Sequence, residues 1–351
     1  MNLATRSHLR PAWRRLAAVA LLLLALSVAL PLPGCGSSLS SNSNTRGLFD
    51  KPVLEKIRRT VDPARESDTI DFLSSAELKG RPTGSQEGEM AADFLLEQFS
   101  SYGLQPVEQL GMRDLWQSFE VPGERLFVAD QRAGQITCRN ILGAIKGSEE
   151  PDNLVIITAN YDGIGVDRDT GEVYPGADFN ASGTSAVLEL ARVFTSLKLS
   201  TKKTVVFACL AAEESGSFGS RALADGIEQA GKKDRAEIIN VQGLGAGPDE
   251  YLSLWDLNYR KNRPIADSVV SAASFCGVNL ERGGSDPGGS PASLFFVYHI
   301  AAVNCDWSWS EKTNHPDFHQ LTDTPDKVNM DRVKTATQVV GVAAWLRASS
   351  V

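Results

Sequence analysis

Thr204-Val-Val-Phe-Ala-Cys-Leu-Ala-Ala-Glu-Glu-Ser-Gly-Ser-Phe-Gly-Ser220 joins an unbroken apolar run to two acids and then to a glycine-serine stretch. An uninterrupted run of this length, without polar alternation, predicts a strand buried on both faces, as in a parallel sheet covered by helices. Glu213 and Glu214 fall just beyond the strand, where ligand sites of open α/β sheets lie. Two adjacent acids there are costly unless something compensates them. One explanation is a metal, with one Glu as ligand and the other as general base toward metal-bound water. The other is that one Glu faces solvent while its neighbour caps a helix starting near Ser217.

The same rhythm extends outward. Leu154–Ala159, Thr204–Leu210, Ile238–Gln242 and Ala301–Asn304 read as buried strands. Ala181–Ser196, Ser217–Ala230, Arg263–Cys276 and Met330–Ala348 read as amphipathic helices between and after them. This alternation predicts a mostly parallel sheet with helices on both faces. Upstream, Ser67–Tyr102 reads as helix, turn, helix, with the turn at Leu78–Ser85. Trp116–Val121, Arg125–Ala129 and Ile136–Ile145 read as strands separated by Gly/Pro turns. The informative residues are then those just after each strand: Asn160-Tyr-Asp162, the loop holding Asp178-Phe179-Asn180, Glu213-Glu214, Gln242, and His319 before the last helix.

The amino end is a targeting segment. Arg6, Arg10, Arg14 and Arg15 precede the uncharged apolar run Leu16–Leu30, which ends in Leu32-Pro-Gly-Cys35. This resembles the lipobox of bacterial lipoproteins, where the signal is cut before a cysteine that carries the lipid. An uncleaved helical anchor is the alternative. The expected division is a signal over 1–35, a Ser/Asn/Gly-rich tether over 36–50 and a single domain over 51–351. On either reading the body of the protein lies outside the cytoplasm, at the bacterial cell envelope. Removing the four signal arginines takes the formal charge from -8 to -12. Such acidity, with no basic run, argues against nucleic acid as a partner. Cys138, Cys209, Cys276 and Cys305 permit disulfides but show no metal-knuckle spacing, and buried free thiols fit Cys138 and Cys209 as well.

From about Ser67 to Arg347 the chain resembles the M28 family of zinc aminopeptidases. The motifs are Leu78–Ser85, Cys138-Arg-Asn-Ile-Leu-Gly143, Gly176–Gly183, Ala211-Ala-Glu-Glu-Ser-Gly216 with Gly219-Ser220, and His319–Asn329. The resemblance implies a three-layer α/β/α sandwich with a mixed, mostly parallel sheet of the zinc-exopeptidase type. It also implies two zinc ions held by five side chains, with a glutamate activating the bridging water. Carried over, Glu213 matches the general base, Glu214 and His319 match zinc ligands, and Asp162 matches the acid that orients the first histidine. That histidine is Asn160 here, the bridging carboxylate is Phe179, and the remaining aspartate is Gln242.

A phenyl ring offers no lone pair, and neutral amides are far weaker zinc ligands than imidazole or carboxylate. The changes share a charge logic, since carboxylates left without metal would repel Glu213 and Glu214 in a partly buried cleft. The expectation is a degraded dinuclear centre, with one zinc at most or none, in a catalytically impaired or repurposed binding module. The alternative is a hydrolase with one zinc or an atypical ligand set, with Glu213 as base, Glu214 and His319 as ligands, and Asp178, Asn160 or Gln242 completing the shell. His315, four residues before His319 but separated by Pro316, reads as a surface-loop histidine. Ser285–Ser290 resembles the family's specificity loop, with Pro287 at the usual histidine. Trp307 and Trp309 either line a cleft or pack on the domain. The expected partners are a peptide or small amino-containing ligand and, through the lipid on Cys35, the membrane. No Gly-x-Ser-x-Gly elbow and no phosphate-cradling glycine loop is present.

Overall fold

In β3 (Glu150–Asn160) and β4 (Lys203–Leu210), alternate residues enter two different cores. Val155, Ile157, Ala159, Val205, Phe207 and Cys209 join one cluster. Leu154, Ile156, Val206, Ala208 and Leu210 join the other. A strand covered on both faces has no solvent side to keep polar, so its sequence reads as continuous apolar residues. The computed structural model describes residues 51–127, 134–247, 250–284, 289–307 and 315–350. These lie in one compact unit, Arg46–Val351. The signal, the tether, Cys35, Ser285–Gly288 and Trp309 fall outside the described residues.

The remaining strands are β1 (Trp116–Pro122), β2 (Gln135–Ile145), β5 (Ala236–Val241), β6 (Leu252–Trp255), β7 (Leu280–Gly283) and β8 (Ala301–Asp306). They form one eight-stranded sheet in the order β1-β2-β4-β3-β5-β8-β6-β7. The β4/β3/β5/β8 centre is parallel, while β1, β2 and the β6/β8 pair add antiparallel joins. One face is covered by helices Lys51–Thr60, Pro63–Leu73, Gln86–Ser101, Gly183–Ser196, Arg263–Cys276 and Met330–Ser349. The other carries Phe218–Gln229 and Pro291–Val297. This is the expected three-layer α/β/α sandwich. The chain leaves β3 for β4 on one side and then crosses to β5 on the other, which opens a crevice at the carboxyl ends of these strands.

Most expected elements stand within a residue or two of their predicted bounds, and Arg263–Cys276 matches at both ends. Arg125–Ala129 does not form the predicted strand over its described part: Gly123–Arg125 is a short 3-10 turn. The Lys51–Thr60 and Pro291–Val297 helices and the four-residue strands β6 and β7 were not anticipated. Such short strands carry too few residues to display a period. Met330–Ser349 is buried almost continuously from Ala336 to Trp345, because it packs against Arg263–Cys276 as well as the sheet helices. Cys138, Cys209 and Cys305 are buried and Cys276 is partly so, all as free thiols. Trp307 is packed into the domain rather than lining the cleft, with Arg332 over its ring at 5.7 Å.

Candidate functional site

The ends of β3, β4 and β5 bring Asn160, Glu213, Glu214 and Gln242 to one cleft of about 130 Å³, closed by Phe179, Ser217, Phe318 and His319. Each side chain is held by local chemistry. Arg81, in the turn after Pro63–Leu73, is fully buried and donates to the carbonyls of Leu73, Tyr161, Pro175 and Gly176. It therefore ties the β3 end to the loop that leads to Phe179. Burial lowers its pKa to about 10. Thr83 donates to Asp162 Oδ2 and accepts from the Ala212 amide. Asn140 accepts from the Ala211 amide and donates to the Gly219 carbonyl, fixing the turn on which the two acids sit.

Asp162 is buried and accepts the amides of Glu213 and Glu214 at 3.3 and 3.2 Å. Burial first, and the charge of Glu214 second, raise its pKa to about 7. Glu213 turns one oxygen back onto the Ser220 amide at 2.6 Å, capping the helix Phe218–Gln229. Its other oxygen, Oε2, is buried without a partner. Burial, then the charge of Asp162, raise its pKa to about 8. So the helix-capping reading holds for Glu213. Glu214, however, does not face open solvent: its Oε2 lies 2.9 Å from His319 Nε2 with only 11% of the side chain exposed. The angles of that contact do not make it a hydrogen bond, and His319 Nε2 has no other partner.

Asn160 lies between these acids and the Phe179 loop. Its Nδ2 is 3.4 Å from Glu214 Oε1, and its Oδ1 accepts from Asn180 Nδ2 at 2.9 Å. Phe179 packs edge-on against Phe318 at 4.4 Å and against His319 at 5.8 Å, while Phe318 and His319 stack at 3.8 Å. Asp323 fixes the loop by accepting the amides of Asp178 and Phe179. Burial, then the charge of Asp178, raise the Asp323 pKa to about 6. Gln242 is 2% exposed, and its Nε2 has no partner.

Asp178 differs from the expectation that it could complete a metal shell. Its carboxylate accepts from the amides of Gly245 and Ala246 and sits 2.8 Å from His315 Nε2, all buried. His315 is therefore no surface-loop histidine: it is 4% exposed. Burial alone would lower its pKa, but the hydrogen bond and charge of Asp178 raise it overall. Two metal-capable side chains, Glu214 and His319, thus face each other across the cleft. Among the described residues, no group of three or more His, Cys, Asp and Glu stands together to hold a metal. Sequence reasoning gave no role to Arg81, Thr83, Asn140, Asn180, Phe318 or Asp323. Buried polar types beside turns were the available signal, but their partners are distant in sequence.

Residues 140–344 match the model of peptidase family M28. The chain belongs to that family. Among curated proteins it is 27% identical over 270 residues to a "Probable zinc metalloprotease" of Pyrenophora teres f. teres, covering 74% of this chain and 52% of that protein. It is 28% identical over 216 residues to Aminopeptidase YwaD of Bacillus subtilis, covering 60% of this chain and 44% of that protein. The chain thus spans about half the length of the curated relatives it matches. Among solved structures, the aminopeptidase of Aneurinibacillus sp. strain AM-1 superposes with TM-score 0.66 at 18% identity, over 85% of this chain and 97% of that one. The glutaminyl cyclase of Fimbriiglobus ruber superposes with TM-score 0.64 at 18% identity, over 83% and 96%. These two likenesses establish the M28 fold.

Proposed function

We propose that this M28 protein is an envelope lipoprotein, anchored through Cys35, whose cleft does not assemble a dinuclear zinc centre. It binds a peptide or small amino-containing ligand in place of hydrolysing one. The observation that carries this reading is Phe179, whose ring packs on Phe318 and His319 at the mouth of the acids. The residues do not fit two metal ions. Asn160 is used as an amide, donating toward Glu214 and accepting from Asn180. Asp178 is committed to Gly245, Ala246 and His315, and Gln242 offers a neutral amide. Metal-centred catalysis normally requires about three protein ligands and an open position.

A second reading is favoured by the 2.9 Å approach of Glu214 and His319. It is a hydrolase with one zinc or an atypical ligand set, with Glu213 as general base. Metal content of the full-length protein, purified in detergent, exposed to zinc and cleared of loosely held metal, separates the two. Near zero supports the binding module. About one equivalent, lost in His319→Ala, supports the second reading. Two equivalents sink the proposal. Restoring Asn160→His, Phe179→Asp and Gln242→Asp together should create zinc binding; if it does not, the correspondence of these positions is wrong.

A further inference from the structure

The connections at the two ends of the sheet differ in charge. At the strand carboxyl ends, beside the cleft, residues 160–182 and 211–217 carry seven acids and one arginine. At the opposite end, 196–203 holds three lysines and no acid, 229–235 three cations to one acid, and 256–263 again three to one. The turn 145–153 runs the other way, with one lysine to three acids. In a chain of formal charge -8 this is a segregation of sign along the strands, not a general surplus of base.

The basic turns form one surface. Those at 145–153, 196–203 and 229–235 lead into β3, β4 and β5, which are parallel neighbours. Because β6 runs antiparallel to β8, the chain leaving Trp255 arrives at the same end, where Asn262 Oδ1 accepts the Ala302 amide. Lys261 Nζ donates to the carbonyls of Lys233 and His299 at 3.1 and 2.6 Å, and Lys232 pairs with Asp152 at 2.6 Å. Arg260 and Arg263, by contrast, are exposed and enter no ion pair among the described residues.

Apolar side chains stand beside these arginines. The short helix Pro291–Val297 buries Phe295 in the core but leaves Phe296 and Val297 41% and 68% exposed. The Tyr259 ring, in the basic turn itself, meets Phe296 edge-on at 5.0 Å. Exposed apolar groups next to unpaired cations match a phospholipid interface, where the former enter the acyl boundary and the latter meet phosphates. A second copy of the chain fits this surface poorly. A two-fold contact would set basic end against basic end, and a head-to-tail contact with the acidic end would cover the cleft.

We propose that the strand-amino end is a docking face for an anionic phospholipid membrane. Arg260 and Arg263 lie at the phosphates, and Phe296 and Val297 at the acyl boundary. The acidic cleft, at the other end of the strands, then faces away from the bilayer. The inference goes beyond the reading of the cleft and holds with or without zinc. It uses the envelope setting but not the lipid on Cys35.

The test places the full-length protein on vesicles of phosphatidylcholine alone, and of phosphatidylcholine and phosphatidylglycerol in equal parts, and follows amide hydrogen exchange by mass spectrometry. The neutral vesicles control for tethering by the amino-terminal segment. Exchange over 256–263 and 294–300 should slow on the anionic vesicles and stay unchanged over 160–176. The slowing should vanish in about 1 M salt, where the screening length is about 3 Å. Arg260→Glu combined with Arg263→Glu should abolish it at an unchanged melting temperature, since both side chains are exposed. Val297→Ser should diminish it.

Equal exchange on the two kinds of vesicle overturns the proposal, as does slowing at 160–176 in place of 256–263. Slowing that is present without vesicles and grows with protein concentration identifies a second copy as the occupant and overturns it too. The anchor is read separately by palmitate incorporation. Docking by an unlabelled protein refutes only the lipid on Cys35, and a labelled protein that shows no slowing refutes only the docking face.

Discussion

Phe179 shows how one residue redirects a cleft. Its backbone is fixed by Asp323 and its ring by Phe318, so the loop keeps its course while the side chain offers surface in place of lone pairs. The acids behind it could be read in the sequence because they adjoin one another after an apolar run. The role of Asn160 could not: its bonds to Asn180 and Glu214 span 20 and 54 residues. Another buried acid, Glu66, was not singled out at all. It is fully buried, accepts from the Thr337 hydroxyl through one oxygen and leaves the other unpartnered. Burial raises its pKa to about 8. The folded state thus holds the proton more tightly than the unfolded chain, and this contribution is complete below the unfolded value. It is lost as pH rises toward about 8. Glu66→Gln should therefore change stability little at pH 5 and raise it at pH 8, by an amount on the order of a few kcal/mol. Denaturant unfolding at the two pH values tests this, and an equal effect at both would refute it.

At the scale of elements, the helix Gly183–Ser196 begins against the floor of the cleft. Asn180 Oδ1 accepts the amides of Gly183 and Gly243, and so joins the helix start to the end of β5. A Cβ at Gly183 would stand 2.2 Å from that oxygen and 2.7 Å from the Val241 carbonyl. Gly183→Ala should cost about 2 kcal/mol and disturb the cleft as well as the fold. A fall in melting temperature in thermal unfolding is the expected result. The last helix is different, since it packs along the core. There Asn329 caps the start by accepting the amides of Asp331 and Arg332. Asn329→Ala should cost about 1 kcal/mol in denaturant unfolding and leave ligand binding unchanged. Both helices were legible from their apolar periodicity. The strands β6 and β7 were not, because four residues cannot display a pattern; the pairing of β6 with β8 and of β7 with β6, together with packing, defines them.

At the scale of the whole molecule, membrane attachment and cleft are separate questions. The proposed anchor predicts incorporation of labelled palmitate into the full-length protein expressed in a lipoprotein-processing bacterium, lost in Cys35→Ala. Absence of label from the parent protein would favour an uncleaved helical anchor. The family motifs, the order of strands and helices, and the acids at the strand ends could be read from the chain alone. Local residue types set strand and helix periods, and a resemblance carried by several ordered motifs needs no contact to be seen. Only the tertiary structure decided how those residues are used. It committed Asp178 to a buried clasp with His315, gave Glu213 to a helix start, and packed the backbone of Gly80 directly against the carbonyls of Gly165 and Tyr174. These outcomes depend on partners brought together from distant parts of the chain, where burial and hydrogen-bond satisfaction, not sequence proximity, determine which contact each group makes.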